Sequence, residues 1–197
     1  MTRRVKAKLE QLNSADRMEQ HEAFLWLMEA TEQPVSWAYE AWDRFVHRLT
    51  DPNNRQRAIG AQILCNLAKS DPNGRMIAAF PALLEVTRDK RFVTARHSLR
   101  SLWKVGLAGR EQLSLLLKGY EARFGECVAE KNTGLIRADI LHGMKILQEE
   151  TGEPRIERLA KKLIETEADR RLRKKYLLLW RQKSGPGGVG GGSPGRL

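Results

Sequence analysis

Residues 51–61 read DPNNRQRAIGA, and this stretch decides the fold class. The sequence Asp-Pro-Asn-Asn is typical of a turn, since each of these residues disfavours the interior of a helix or strand. A helical pattern follows at once, in which Ile59, Ile63 and Leu67 lie on one face. A turn that leads directly into an amphipathic helix predicts a chain of helices joined by short connections.

The same alternation of turn and helix extends from this stretch towards both ends of the chain. Apolar residues recur at intervals of three and four, whereas the period-two pattern of a strand is absent. Ser14 and Ser36 are predicted helix N-caps, Gly152 is a predicted C-terminal cap, and Pro81 is expected to kink or restart its helix. The predicted helices lie near residues 2–12, 14–31, 36–49, 53–69, 73–88, 91–106, 109–125, 132–151, 154–166 and 167–183. Ten helices with short connections predict an all-α fold of about five hairpins.

The predicted hairpins resemble one another at an interval of 36 to 41 residues. Arg57, for example, has counterparts in Arg96, Arg137 and Arg173. A unit of this length with two helices is typical of HEAT- and armadillo-type arrays. One hairpin cannot bury its apolar stripe alone, so neighbouring hairpins stack and share a continuous core.

The stretch from Asp51 to Ala61 resembles the HEAT-repeat signature, an Asp-Pro turn followed by an arginine and small residues in the second helix. The chain as a whole resembles small bacterial HEAT-repeat proteins, which implies a right-handed α-solenoid. In HEAT proteins the arginine commonly pairs with the turn aspartate of the same or the next repeat. Asp51 and Asp89 match that aspartate, and Glu130 and Glu167 are weaker substitutes for it.

The chain is predicted to contain one domain and a tail. Residues 1–183 form the HEAT-like repeat domain. Residues 184–197 read SGPGGVGGGSPGRL, with seven glycines and two prolines. Such a segment cannot bury enough apolar area to offset the entropy lost on ordering, so we expect a disordered tail.

The net charge of +11 lies at the two ends of the sequence. Residues 1–8 carry four basic groups and no acid, and residues 158–183 carry ten basic and three acidic groups. The stretch between them, residues 9–157, holds 20 basic and 21 acidic residues and is therefore close to neutral. A basic groove along the whole array is not predicted, and any site for an anionic partner is expected near the ends.

No catalytic, metal-binding or cofactor motif is present in the sequence, so we expect a protein that is not an enzyme and carries no cofactor. Cys65 and Cys127 are far apart and lie among apolar residues, which predicts two buried free thiols. His97 and His142 occupy similar positions in adjacent hairpins and are expected near each other, but groove or surface histidines are commoner than metal ligands. No apolar stretch approaches the length of a membrane span, and no signal peptide is evident, so we expect a soluble, cytoplasmic monomer without membrane insertion.

Arginines on the second helix of each hairpin are the candidate partner-binding residues. Second helices line the concave face of a solenoid, and a ladder of arginines there can bind phosphates or an acidic peptide. The alternative is structural, because arginines in HEAT-like repeats also pair with turn acids and join successive repeats. The candidates for the concave face are Arg55, Arg57, Arg96, Arg100 and Arg137.

The last predicted helix forms a second candidate site, for an anion. A terminal repeat needs a polar outer face, which accounts for exposed charge. Charge of one sign, however, repels itself unless a partner or counterions relieve it. The candidate residues are Arg170, Arg171, Arg173, Lys174 and Lys175.

Three functions are compatible with these features. The leading hypothesis is a non-enzymatic scaffold that docks a protein partner, extended or acidic, on the concave face. The alternative is binding of RNA, DNA or the ribosome through the basic C-terminal helix and the basic N-terminus. A weaker alternative is a DNA alkylation-repair glycosylase, because HEAT-like glycosylases use Trp and Asp in a basic groove and Trp42-Asp43 is one such dipeptide.

Overall fold

A computed structural model describes residues 1–181, and the predicted tail over residues 184–197 lies outside them. In the described residues the chain forms ten α-helices and no strand, which confirms the all-α class. Three short 3-10 turns extend helices: Ala68–Ser70 follows α4, Trp103–Leu107 follows α6 and Cys127–Ala129 follows α7. The helices are α1 (Arg3–Gln11), α2 (Arg17–Ala30), α3 (Ala38–Arg48), α4 (Asn54–Leu67), α5 (Arg75–Val86), α6 (Phe92–Leu102), α7 (Arg110–Glu126), α8 (Thr133–Thr151), α9 (Pro154–Glu165) and α10 (Arg170–Arg181).

The turn that precedes α4 is held by its own side chains. Asp51 Oδ1 accepts the backbone N–H of Asn53 at 2.7 Å, and Asn53 Oδ1 accepts that of Arg55 at 2.9 Å. Ahead of α6, Asp89 Oδ1 accepts the N–H of Arg91 at 2.8 Å. The first N–H groups of a helix have no partner within the helix, so these short polar side chains stabilise its start.

Some of the local predictions are wrong, although every helix begins within four residues of its predicted start and α1 to α9 also end within four residues of their predicted ends. Asp16, not Ser14, caps α2, since its carboxylate accepts a backbone N–H of the first turn at 2.8 Å. Ser36 makes no capping bond to α3. Pro81 does not restart its helix, and α5 continues through it. Gly152 does end α8, as predicted, in the left-handed conformation with φ +64°.

The helices pack in two rows. In the even row α2, α4, α6, α8 and α10 each pack against the next, and in the odd row α3, α5, α7 and α9 do the same. Ion pairs attach α1 to α3, from the Met1 amino group to Glu40 at 2.6 Å and from Arg44 to Glu10 at 2.7 Å. Each odd helix also contacts the even helix that follows it, so residues 1–181 form five helical hairpins.

Side-chain bonds between α4 and α6 show that these two even helices run parallel. Asn54 Nδ2, at the start of α4, donates to Thr94 Oγ1 near the start of α6 at 3.3 Å. Near the ends of the same helices, Lys104 Nζ donates to Asn66 Oδ1 at 2.5 Å. The starts of α4 and α6 are therefore neighbours in space, and so are their ends.

One apolar core runs between the two rows of helices, from Val5 in α1 to Tyr176 in α10. Its largest fully buried aromatic side chains include Trp42, Tyr120 and Phe124. Burial of apolar side chains contributes about 25 cal/mol per Å² of area removed from water, and this core is the main source of stability. No helix within residues 1–181 is both long enough and apolar enough to cross a membrane.

Candidate functional site

Three of the five arginines predicted for the partner-binding face lie in ion pairs between successive hairpins. In each pair the arginine comes from an even helix and the acid from the following hairpin, so the pair joins successive hairpins. The three pairs are Arg57 with Asp89, Arg96 with Asp139 and Arg137 with Glu167. These arginines therefore have a structural partner within the chain.

Arg57 connects two turns of the array. Its Nη2 donates to Asp89 Oδ1 at 3.0 Å, and its Nη1 donates to the carbonyl oxygens of Asp51 at 2.7 Å and Pro52 at 3.0 Å. Burial alone would raise the pKa of Asp89, but the hydrogen bonds from Arg57 and from the Arg91 N–H hold it below its usual range. The carboxylate of Asp89 is thus kept ionised as one half of a buried pair.

The other two pairs differ from the predicted partners in one respect. Arg137 Nη1 donates to Glu167 Oε2 at 2.7 Å, in agreement with the predicted pairing to a turn acid. Arg96, however, bonds Asp139 within α8, with Nε 2.6 Å from Oδ2, and not Glu130. Glu130 instead accepts Arg123 Nη2 at 2.9 Å. The Arg96 pair was missed because Asp139 lies inside a helix, where no turn motif marks it.

Arg123 is a buried structural arginine that the sequence pattern did not identify. Its side chain is 1% exposed, and its Nη2 also donates to the carbonyl oxygen of Thr87 at 3.1 Å. It joins α7 to the end of α5. Its position three residues after Tyr120 indicates that Arg123 lies on the buried face of α7. A charged residue is, however, normally expected on the exposed face of a helix, so this position was not recognised from the sequence.

Arg55 and Arg100 are the two predicted arginines without an ion-pair partner among residues 1–181. Arg55 is half-buried, and its Nη2 donates to the carbonyl oxygen of Arg17 at 3.3 Å. Arg100 is exposed on α6. Of the predicted partner-binding residues, Arg100 is therefore the one whose charge is most available to a ligand.

Two histidines share the surroundings of Arg100. The Arg96–Asp139 pair fixes the register of α6 against α8, so Arg100, one turn beyond Arg96, lies beside His142 on α8. His97 lies on the adjacent side of α6, and the charge of Arg100 also lowers its pKa. We call Arg100, His97 and His142 the α6–α8 cationic cluster.

Both histidines of this cluster are biased towards the neutral form. Loss of hydration lowers the pKa of His97, and the charges of Arg100 and Arg96 lower it further while Asp139 opposes them. The pKa of His142 is also lowered, first by loss of hydration and then by Arg100. A negative charge placed against Arg100 would reverse this bias, because it would stabilise the protonated imidazoles.

The odd row differs from this cluster because ion pairs bridge each of its successive helices. Their members are exposed or half-buried, and each cation faces an acid of a neighbouring hairpin. The pairs that join consecutive odd helices, or the turn that follows one of them, are Glu10 with Arg44, Asp43 with Arg75, Glu126 with Arg88 and Glu121 with Lys162. These four cations are thus neutralised by acids of neighbouring hairpins.

The predicted anion-binding residues of α10 separate into two groups. Arg173 turns inward, and its Nε donates to the carbonyl oxygen of Glu167 at 2.8 Å. Arg170, Arg171, Lys174 and Lys175 are exposed. Four of the five predicted residues are thus available to an anion.

The side chains of the dipeptide considered for a glycosylase lie in different environments. Trp42 is 1% exposed and packs edge-on against Tyr39, with ring centroids 5.9 Å apart. Asp43 is exposed and pairs with Arg75. Because its indole is part of the core, Trp42 is not available to stack on a base.

The cysteines and histidines do not form a reactive centre in the part of the chain that the structure describes. Cys65 and Cys127 are buried and free, as predicted. Burial raises the pKa of Cys65 to about 12, although the charge of Lys104 acts in the opposite direction. Within residues 1–181 no group of three or more His, Cys, Asp or Glu residues is arranged to hold a metal ion.

Comparison with models of known protein families gives no match to this chain. A search of curated proteins gives no match either. The assignment of a function therefore rests on the geometry of this chain's own residues.

Proposed function

We propose that this protein is a HEAT-like scaffold, built as a right-handed solenoid of five hairpins, that docks an acidic segment of a protein partner. The docking site is the α6–α8 cationic cluster, with Arg100 as its central charge. The single observation that supports it most is the exposed guanidinium of Arg100, which lies between two histidines and has no ion-pair partner among residues 1–181.

The packing of the helices supports the repeat architecture. Parallel even helices, a second row of odd helices and five hairpins are what stacking of similar two-helix units produces. The arginine–acid pairs recur between hairpins at intervals close to the sequence repeat. A surface made of equivalent positions from successive units suits a partner that binds in an extended form.

The distribution of charge supports the choice of an acidic partner. Four cations of the odd row pair with acids of neighbouring hairpins, whereas Arg100 in the α6–α8 cationic cluster has no ion-pair partner among residues 1–181. A guanidinium can bind a carboxylate through two parallel hydrogen bonds, and flanking imidazoles add donors. The neighbouring Arg96–Asp139 pair holds α6 against α8, so the cluster is formed before a partner binds.

We expect Arg100→Glu to weaken binding of the protein partner at least tenfold, since the substitution places a carboxylate where the partner brings its own. The measurement is affinity purification of the full chain from its native host in the presence of nuclease, followed by titration with the recovered protein. Lys118→Glu is the matched control, because Lys118 is an exposed cation on the odd helix α7. Recovery of no stoichiometric partner, or equal loss of binding in both variants, would contradict the proposal.

We also expect the affinity for the acidic partner to increase as the pH falls from about 8 to about 6. In the free protein the pKa values of His97 and His142 are lowered, and a bound carboxylate raises them again, so binding takes up protons. The limit is about tenfold in affinity per pH unit for each proton taken up. The charged neighbours to include in the interpretation are Arg96, Arg100, Asp139, Lys145 and Glu149. His97→Gln combined with His142→Gln should flatten the pH profile, and a profile that stays unchanged would show that these histidines are not coupled to docking.

A further inference from the structure

The exposed face of α10 carries five cations and no acid. Helix α10 contains no acidic residue, and one side of it packs through Tyr176 against the rest of the fold. Because residues in an α-helix follow one another at about 100° around the axis, the exposed side chains fall on one broad arc. The five cations on this arc are Arg170, Arg171, Lys174, Lys175 and Arg181.

The sequence run alone does not define this face. Arg173 lies within the run but is turned towards the carbonyl oxygen of Glu167, whereas Arg181, six positions beyond the run, joins the exposed arc. The face therefore extends over the whole 12-residue helix, a length of about 18 Å. A charged surface of this extent is larger than the site of a single small anion.

The acids nearest in sequence to α10 have other partners. Glu167 is buried and bound to Arg137. Asp169 Oδ1 accepts the N–H of Arg171 at 2.7 Å and that of Leu172 at 3.1 Å, and these bonds lower its pKa. Both carboxylates thus stabilise the turn and the start of the helix. Neither one neutralises a guanidinium or ammonium group on the exposed face.

The apolar residues of α10 argue against a membrane surface as the partner. An interfacial helix buries a continuous apolar strip in the lipid, but the apolar strip of α10 is packed in the core. Leu177 and Leu178 are exposed, by 40% and 51%, yet as consecutive residues they lie about 100° apart and are surrounded by cations. The outward face thus offers charge and only two separate apolar contacts.

From this arrangement we infer that the exposed face of α10 binds nucleic acid through its phosphate backbone. A line of phosphates matches an extended cationic face that contains no acid, and three of the five cations are arginines, which bind phosphate bidentately. Contacts of this kind are independent of base sequence. The residues of this face differ from those of the α6–α8 cationic cluster, although α10 packs against α8.

Titration of the full chain with a mixed-sequence duplex of about 20 base pairs, and with single-stranded RNA, tests this inference. If each of the five cations displaces one counterion, the logarithm of affinity for the duplex falls with the logarithm of salt at a slope of about −4.5. Affinity then falls by between two and three orders of magnitude from about 50 to about 200 mM salt. Combined Arg171→Glu, Lys174→Glu and Lys175→Glu substitutions should abolish binding.

The control changes the net charge by the same amount at exposed lysines elsewhere on the fold. Lys90→Glu, Lys118→Glu and Lys131→Glu together should retain most of the binding, with circular dichroism and thermal unfolding used to verify that both variants fold. If both triple variants lost the same amount of affinity for nucleic acid, the loss would be due to the change in net charge alone, and the inference would be overturned. Absence of binding at low salt would do the same, as would binding of phosphatidylserine vesicles in preference to either nucleic acid.

Discussion

Replacing Arg137 with methionine is expected to lower the free energy of unfolding by about 3 kcal/mol. The guanidinium of Arg137 lies 2.7 Å from Glu167 Oε2, and the two side chains are 10% and 6% exposed. Its Nε also donates to the carbonyl oxygen of Phe124 at 3.1 Å. Without the arginine, the carboxylate of Glu167 is buried without a countercharge. The free energy lost in this way is larger than the net stabilisation that the intact pair provides. Urea denaturation followed by circular dichroism measures the change.

Two further variants separate the buried charge from general disruption of the fold. Combining Arg137→Met with Glu167→Leu should recover most of the loss, because an apolar pair of similar volume no longer leaves a charge in the core. Arg44→Ala, which breaks the exposed pair with Glu10, should cost less than about 1 kcal/mol. If Arg137→Met were as mild as Arg44→Ala, the buried pairs would not be what holds successive hairpins together.

The second large effect is expected for Gly60→Ala, which should lower the free energy of unfolding by about 2 kcal/mol. Helices α3 and α4 approach so closely at Gly60 that an added Cβ would meet the Cβ of Arg48 at 2.7 Å and the carbonyl oxygen of Phe45 at 3.1 Å. Neither atom is the end of a flexible side chain, so the helices themselves have to separate. Thermal and urea denaturation of the variant measure the loss.

Gly125→Ala is the matched control for this substitution. Gly125 lies within α7, and a Cβ built there meets nothing within 4 Å. Because alanine is the better helix former, we expect a gain of between 0.5 and about 1 kcal/mol. A loss of similar size at Gly60 and Gly125 would mean that helix contact is not the reason for glycine at position 60.

Much of the fold was predictable because local signals agree along the chain. Asp51, Pro52 and the asparagines after them favour a turn, and the apolar spacing that follows favours a helix. The helix count and the buried cysteines followed from such short-range patterns, whereas the Arg137–Glu167 pair was implied by the resemblance to HEAT repeats. Ser14 shows the limit of these signals, since Asp16 competes for the same cap and the sequence does not rank two good caps two residues apart.

The candidate sites were only partly predictable, because contacts between residues distant in sequence decide whether a cation is free to bind a ligand. Arg57 and Arg100 have equal charge and both lie on second helices, yet Arg57 is bound to Asp89 and Arg100 is not paired within residues 1–181. Arg173 lies in the basic run but turns inward, whereas Arg181 lies outside the run and joins the exposed face. Position in a charged segment says nothing about which way each side chain points.

The sequence by itself determined the helices and their approximate bounds, because turn chemistry and apolar periodicity act within a few residues. Only the tertiary structure decided which cations are neutralised, since Arg96 finds its acid 43 positions away in Asp139. Packing sets the register of α6 against α8, and this register places His142 beside Arg100. The contacts that do so join residues too far apart in sequence for a local pattern to reveal them. The free charges of this protein are therefore a property of how its hairpins stack.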